Sequence, residues 1–496
     1  MRTAAVAELA QLGLGFSLNI WATALVGFLS ELSLMAASPQ ELRVIQRAAK
    51  AISETRGRIW GRTVSDPKIL WAPRRWWLLA ALVATGVATV GCGSSSGPPQ
   101  SPKIVGKTVV VYSSQPLVGR MAPQGMDVVR GERLALLQAG GKVGSFNVVL
   151  RARNSAQPPP ALATWEAPLV LANANLAAKD PRTVAYIGEL DTGASAVSIP
   201  VLNGQEILQI SPADTVAGLT SPIGATGNGE PQKYYPNGRR TFARLMPSDY
   251  VEAGALVAVM RQDSIGKLLI TSDDTMFADS LATNVADMAL SAVIEVVGRQ
   301  VIRAGRSQND PVGISAGAEV IIAAADASGA DGVLLSCTGS AVGLLINEIA
   351  NRRPGLRLYA PSPLGADPAF VGQLDSAGAA STALTYAPLP APQGPIAAEK
   401  FVADFRRAFG AQPQPYAVYG YQAMRAVLAA IRSAGKDANR RRAVTKAFFG
   451  AQHRGSPIGS YAILPNGNTT TREYGLYRPE MGGQIFEQRV GPFDSP

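Results

Sequence analysis

The chain has 496 residues, 47% hydrophobic and 17% charged, which is globular composition and enough length for more than one domain. Its formal net charge of +10 does not mark an acidic partner: residues 1–91 hold ten Lys/Arg against five Asp/Glu, and beyond them no like-charged block exceeds 440–442, so the charge reads as a solvated surface and not as a nucleic-acid interface. Two cysteines, Cys92 and Cys337, and one histidine, His453, leave no room for a Cys/His zinc site or a histidine-dependent triad.

Taken in order, the first marked feature is an export signal. Arg74 and Arg75 precede sixteen uncharged residues, 76–91, and then Cys92 opens a Ser/Gly/Pro stretch that runs to residue 102. A basic start, a short apolar run and small residues before the cut make a secretory leader, too short for a comfortable membrane span. Thr89-Val90-Gly91-Cys92 resembles a bacterial lipobox, which implies a lipid on the Cys92 thiol and cleavage before it. The flexible 92–102 segment then suits a tether. With Cys92 modified, Cys337 has no disulfide partner. Residues 1–73 are either a membrane-associated extension or an upstream start, with the true start near Val64 or Leu70; the second is preferred.

After the tether, apolar runs and helical spacing alternate. Strands are predicted over 108–112, 147–150, 184–187 and 207–210, with helices over 125–138, 162–178 and 194–202; Pro168 is expected to kink or divide the second of these. The pattern breaks at a Gly- and Pro-rich connection, 221–240, which is expected to wrap a surface or border a cleft. It restarts with strands at 241–245, 267–271, 293–297, 332–335 and 356–359 and helices at 250–261, 277–290, 316–327 and 341–351. A proline-rich stretch, 387–395, leads to helices over 396–409, 416–434 and 440–450, then strand-like pieces at 459–464 and 473–477. The fold class is therefore α/β, two doubly wound parallel sheets. Small and hydroxylated residues follow two buried strands, Asp191-Thr192-Gly193 and Ser211 to Thr215. In open parallel sheets the carboxyl ends of the strands are where ligands bind, so residues 186–220 read as half of a ligand cleft.

At this point the chain resembles the leucine/isoleucine/valine-binding protein family, the type I periplasmic solute-binding proteins of ABC importers. The resemblance is carried by 125–144 with its Gln-Ala-Gly-Gly exit, by Ile187-Gly188 through Thr192-Gly193, by Ile207 to Thr220, by Arg244 to Asp249, by Tyr419-Gly-Tyr-Gln-Ala423 and by Ser456-Pro-Ile-Gly-Ser460. It implies two α/β lobes joined by three crossovers, one of residues 103–248 plus 388–464 and the other of 249–387 plus 465–496, with the ligand closing between them. It further implies that Thr192, Gly193, Ala213, Asp214 and Thr215 form the first-lobe wall, where hydroxyls and backbone N–H groups hold a carboxylate. On the second lobe the family's acidic place falls at Ser362 and one aromatic place at Thr338, while Phe277 keeps another aromatic. Without an acid there, an ammonium has no offset for its burial; Asp191, Asp214 or Asp367 could supply the charge from a new place.

The resemblance implies a lipid-anchored protein on the outer face of the cytoplasmic membrane that captures a small polar solute, an amino acid, amide or similar, and delivers it to an ABC permease. No cofactor, metal or nucleic-acid partner is expected, and the protein is expected to be a monomer. The competing readings are a ligand sensor or an envelope scaffold of the same fold without transport. An enzyme is disfavoured because no nucleophile–base pair stands out and His453 is remote in sequence from Ser195, Ser198 and Ser211.

Overall fold

A computed structural model describes residues 103–159, 164–302, 310–339, 341–386, 396–480 and 483–493. The expected leader, Cys92, the tether and the extension before them lie outside the described residues, as does 387–395.

Strand β1 (Thr108–Gln115) begins the first sheet. Val109 to Tyr112 are buried, as expected of a strand covered on both faces. Helix α1 (Ala122–Gln138) follows, with a proline in its first turn, where a missing N–H removes no helical bond. Next come β2 (Lys142–Val143), β3 (Phe146–Asn154) and α2 (Ala167–Lys179). Helix α2 is shorter than its apolar pattern predicts. Glu166 is its extended N-cap residue and Pro168 lies in its first turn, so the proline starts the helix instead of kinking it. This leaves Thr164 and Trp165 in the loop beyond β3. The lobe continues with β4 (Thr183–Ile187), α3 (Ser195–Gly204), β5 (Leu208–Ser211) and β6 (Phe242–Arg244). The sheet order is β2-β3-β1-β4-β5-β6, parallel apart from the β2–β3 hairpin.

Strand β6 carries a charge into the core. Arg244 is fully buried and donates to the carbonyls of Asp214 (3.1 Å) and Val216 (2.7 Å) and to the Thr220 hydroxyl (2.9 Å), which supply acceptors in place of water. The 221–240 connection packs Tyr234 and Tyr235 with Ile199, Val216, Leu219 and Phe242 in a small satellite core.

The second sheet is built from α4 (Asp249–Gln262), β7 (Lys267–Ser272), α5 (Met276–Ser291), β8 (Glu295–Val301), α6 (Pro311–Ser328), β9 (Gly332–Ser336), α7 (Val342–Arg352) and β10 (Arg357–Ala360). Three short helices, α8 (Ser362–Gly365), α9 (Pro368–Val371) and α10 (Ser376–Ser381), lead to β11 (Thr382–Tyr386). The chain then returns to the first lobe as α11 (Ile396–Phe409), α12 (Ala417–Ala434) and α13 (Arg441–Phe449), followed by a small pair, β12 (Gln452–His453) and β13 (Tyr461–Ala462). Helix α12 lies against α1 through two glycines: a Cβ on Gly131 would sit 2.3 Å from the Ala417 carbonyl oxygen, and one on Gly420 2.3 Å from that of Val128. Arg441 at the start of α13 donates to the carbonyls of Thr183 (2.9 Å) and Asp180 (3.1 Å), tying the returning helices to the edge of β4.

The Gly467 carbonyl accepts from the Arg244 N–H (3.0 Å), so the chain still touches the first sheet there. It then crosses once more and adds β14 (Tyr474–Glu480) and β15 (Gly483–Val490) to the second sheet, whose order is β15-β14-β11-β10-β9-β7-β8. Strands β8 to β11 run parallel, and β14 and β15 are antiparallel to their neighbours.

Candidate functional site

Each sheet reverses its strand order once. In the first, the chain passes from β1 to β3 on one side and then to β4 on the other; in the second, from β7 to β8 and then to β9. The loops leaving the two strands on either side of such a reversal diverge and open a crevice. A cavity of about 230 Å³ lies where the two crevices meet. Arg120 and Met121 after β1 line it, with Thr164 and Trp165 after β3, Leu190, Asp191 and Thr192 after β4, and Ala213 after β5. From the second lobe come Thr275, Met276 and Phe277 after β7, Thr338 after β9, and Pro363 and Asp367 after β10; Tyr416, just before α12, completes it.

Of the residues expected at the site, Thr192, Ala213, Phe277 and Thr338 line this cavity. Gly193, Asp214, Thr215 and Ser362 do not, and each has a physical reason. The Asp214 carboxylate is fully buried and accepts from the backbone N–H groups of Gly193 and Ser195, both at 2.9 Å. The donors at the start of α3, expected to face a solute anion, are thus satisfied by the protein's own carboxylate. Gly193, at φ +90°, packs on Met276 from the opposite lobe; a Cβ there would lie 3.4 Å from the Met276 Cβ and Sδ. Thr215 is 2% exposed, and its carbonyl accepts from the Asp249 N–H that opens α4.

Ser362 points away from the cavity to a buried acid. Its N–H (2.6 Å) and hydroxyl (3.0 Å) donate to Glu252 on α4, which also accepts from Thr385 (2.8 Å). Burial pushes the Glu252 carboxyl up to about 7, against the opposing effect of these hydrogen bonds. Thr338 is held in place by Asp273, whose carboxylate takes its N–H (2.9 Å) and its hydroxyl (3.0 Å). Phe277, 1% exposed, forms the floor of the second-lobe wall.

Several contacts span the cleft. Arg120 pairs with Asp367 at 2.9 Å and donates to the Thr338 carbonyl at 3.3 Å, and Gln124 donates to the Ala366 carbonyl at 2.8 Å. At the far edge, Asn284 on α5 donates to the Gly224 carbonyl at 3.2 Å. Asp191 stands apart from this network. Burial pushes its carboxyl up to about 7, with Thr164 and Arg120 favouring the ionised form and Asp214 opposing it. Among the described residues no cluster of His, Cys, Asp and Glu could hold a metal ion.

The fold, two doubly wound lobes with three chain crossings, is also what comparison with known proteins finds. The profile of the periplasmic binding protein family matches residues 113–484. The chain belongs to this family. Solved structures of similar fold include a leucine-binding protein from Thermotoga maritima, 17% identical, with a TM-score of 0.62 over 77% of this chain and 99% of that one. A branched-chain amino acid binding protein from Streptococcus pneumoniae in complex with isoleucine is 14% identical, with a TM-score of 0.61 over 78% and 99%. A solute-binding protein from R. palustris in complex with benzoate is 17% identical, with a TM-score of 0.59 over 78% and 97%. No curated protein sequence matches the chain.

As a periplasmic binding protein of type I fold, the molecule has a site that its sequence only half discloses. Arg120, Trp165 and Tyr416 were not expected at the wall, and Asp367 was expected only as one of three possible sources of charge. The signal available for Trp165 was that it is the lone tryptophan after residue 77, although the apolar pattern placed it inside a predicted helix over 162–178. Arg120 and Asp367 carry no such signal, because their pairing joins residues 247 positions apart.

Proposed function

We propose that this periplasmic binding protein is lipid-anchored through Cys92 outside the cytoplasm, captures a small polar solute between its lobes, and delivers it to an ABC permease. The observation that carries the reading is the cavity at the meeting of two strand-order reversals, lined by polar and aromatic groups from both lobes. A solute touching both walls favours the closed arrangement by its differential contacts, and closure is the signal a permease would read. The amino acid and benzoate ligands of proteins with this fold fit a cavity of this size. Residues 74–92 supply the anchor in this reading, and 92–102 the reach between membrane and lobes.

Trp165 reports on the site directly, since it is the single tryptophan after residue 77. Titrating the exported part with amino acids, amides, ureas and short carboxylates is expected to change its fluorescence for at least one class. A flat response across the panel, with no gain in melting temperature, argues against solute capture. Metabolic labelling with a radioactive fatty acid is expected to mark the wild type and not Cys92→Ser.

A further inference from the structure

One guanidinium and two carboxyl groups line the cavity, and two of the three satisfy each other. Arg120 and Asp367 form a pair at 2.9 Å, and the second guanidinium nitrogen of Arg120 serves the Thr338 carbonyl. Asp367 also caps α9, accepting from the Ala369 N–H at 3.0 Å. The remaining group is Asp191. Its side chain is half-buried and lines the cavity with Thr164 beside it, and among the described residues its shielded Oδ2 has no hydrogen-bond partner of good geometry. Its acidic neighbour Asp214 is occupied by the Gly193 and Ser195 N–H groups and does not line the cavity. A buried carboxylate oxygen without a donor is costly, so it is a place where a bound molecule gains by supplying one.

We infer that Asp191 selects the solute by receiving a positively charged nitrogen, a primary ammonium, at the first-lobe wall. The inference rests on the solute-capture reading above and narrows it: the cation is read by the lobe that the sequence assigned to the anion. With Arg120 and Asp367 cancelling, an ionised Asp191 leaves the cavity with one net negative charge, which a monocation neutralises and a simple carboxylate such as benzoate worsens. The groups facing Asp191 are Arg120 from the β1 loop, Thr164 from the β3 loop, Asp214 from the β5 loop and Tyr416 from the α12 start. Of these, only Arg120 carries positive charge, and its hydrogen bonds go to the other lobe.

The rival arrangement has a protonated Asp191 donating to a solute anion, and the two differ in the sign of proton exchange. With its carboxyl near 7, Asp191 is partly protonated in neutral solution. A cation arriving there drives a proton off; an anion draws one on. The test uses three probes built on one carbon skeleton: leucine, isopentylamine without the carboxylate, and isocaproate without the ammonium. Each is titrated calorimetrically near neutral pH in two buffers of different ionisation enthalpy, with Trp165 fluorescence alongside. Leucine and isopentylamine are expected to bind with proton release, and isocaproate at least about tenfold more weakly. Asp191→Asn is expected to abolish the proton release and weaken both amines by about tenfold or more. Isocaproate binding as tightly as isopentylamine, or proton uptake on binding, overturns the inference while leaving solute capture standing. Silence from all three probes overturns the inference, and with benzoate and the wider panel also silent it overturns solute capture as well. If Asp191→Asn does not fold by circular dichroism, the sign of proton exchange in the wild type decides alone.

Discussion

Thr192 and Thr215 are two hydroxyls that look equivalent in the sequence and occupy different settings in the structure. Thr192 lines the cavity, whereas Thr215 is buried beneath it at the start of the chain's first passage to the second lobe. Thr192→Val is therefore expected to weaken solute binding by about tenfold, the cost of one directed hydrogen bond to a charged group. Thr215→Val is expected to leave affinity unchanged; fluorescence titration of Trp165 compares the two. Equal losses in both would move the site deeper than the cavity described. What the sequence showed at this scale was which loops lie near the cleft, because hydroxylated residues follow apolar runs at 184–187 and 207–210. It did not show which side chain of each loop turns outward. Asp214 illustrates the reason: whether a carboxylate meets a solute or the start of its own lobe's helix depends on a contact between residues 193 and 214, and spacing along the chain does not encode it.

Among elements, the helix pair α1–α12 fixes the first lobe most firmly, and its glycines are specific. Alanine at Gly131 or Gly420 places a methyl 2.3 Å from a carbonyl oxygen of the facing helix, so the helices must move apart. Each substitution is expected to cost about 1–3 kcal/mol of overpacking, read as a lowered denaturation midpoint. Gly204→Ala, at the end of α3 with open space around it, is the control and is expected to be neutral or slightly stabilising. Both helices were legible in the sequence, and both overlap segments that carried the family resemblance; their close contact explains why glycine stands at these points. The central parallel strands were legible for a different reason, continuous burial. Strand β4 is buried at all five positions, and so is β9. Strand β15 lies at the sheet edge with a single buried position, so Gly483–Val490 has no apolar run to mark it.

Across the whole molecule, carboxyl groups are buried in numbers that tie stability to pH. Burial raises Glu132 and Glu189 to about 8 and Asp191, Asp249 and Glu252 to about 7. In an unfolded chain these groups titrate near about 4. The folded state thus holds their protons more tightly, and the stabilisation is complete below the unfolded value and lost as pH rises through about 7–8. The melting temperature is expected to fall between about pH 5.5 and pH 8.5, and Glu132→Gln is expected to flatten part of that slope; a melting temperature that rises over this range would show that the carboxyls are not buried as described. A last consequence follows from the order in which the strands enter the second sheet. Strand β14, which pairs with β11, and β15 beyond it come after the whole of α11 to α13, helices that belong to the other lobe. During synthesis the second lobe remains two strands short until residue 490 has left the ribosome, and the first lobe lacks α12 until residue 434 has done so. Neither half can finish folding before most of the polypeptide exists, a sequence of events compatible with threading an unfolded chain through a membrane pore before the lobes close on each other.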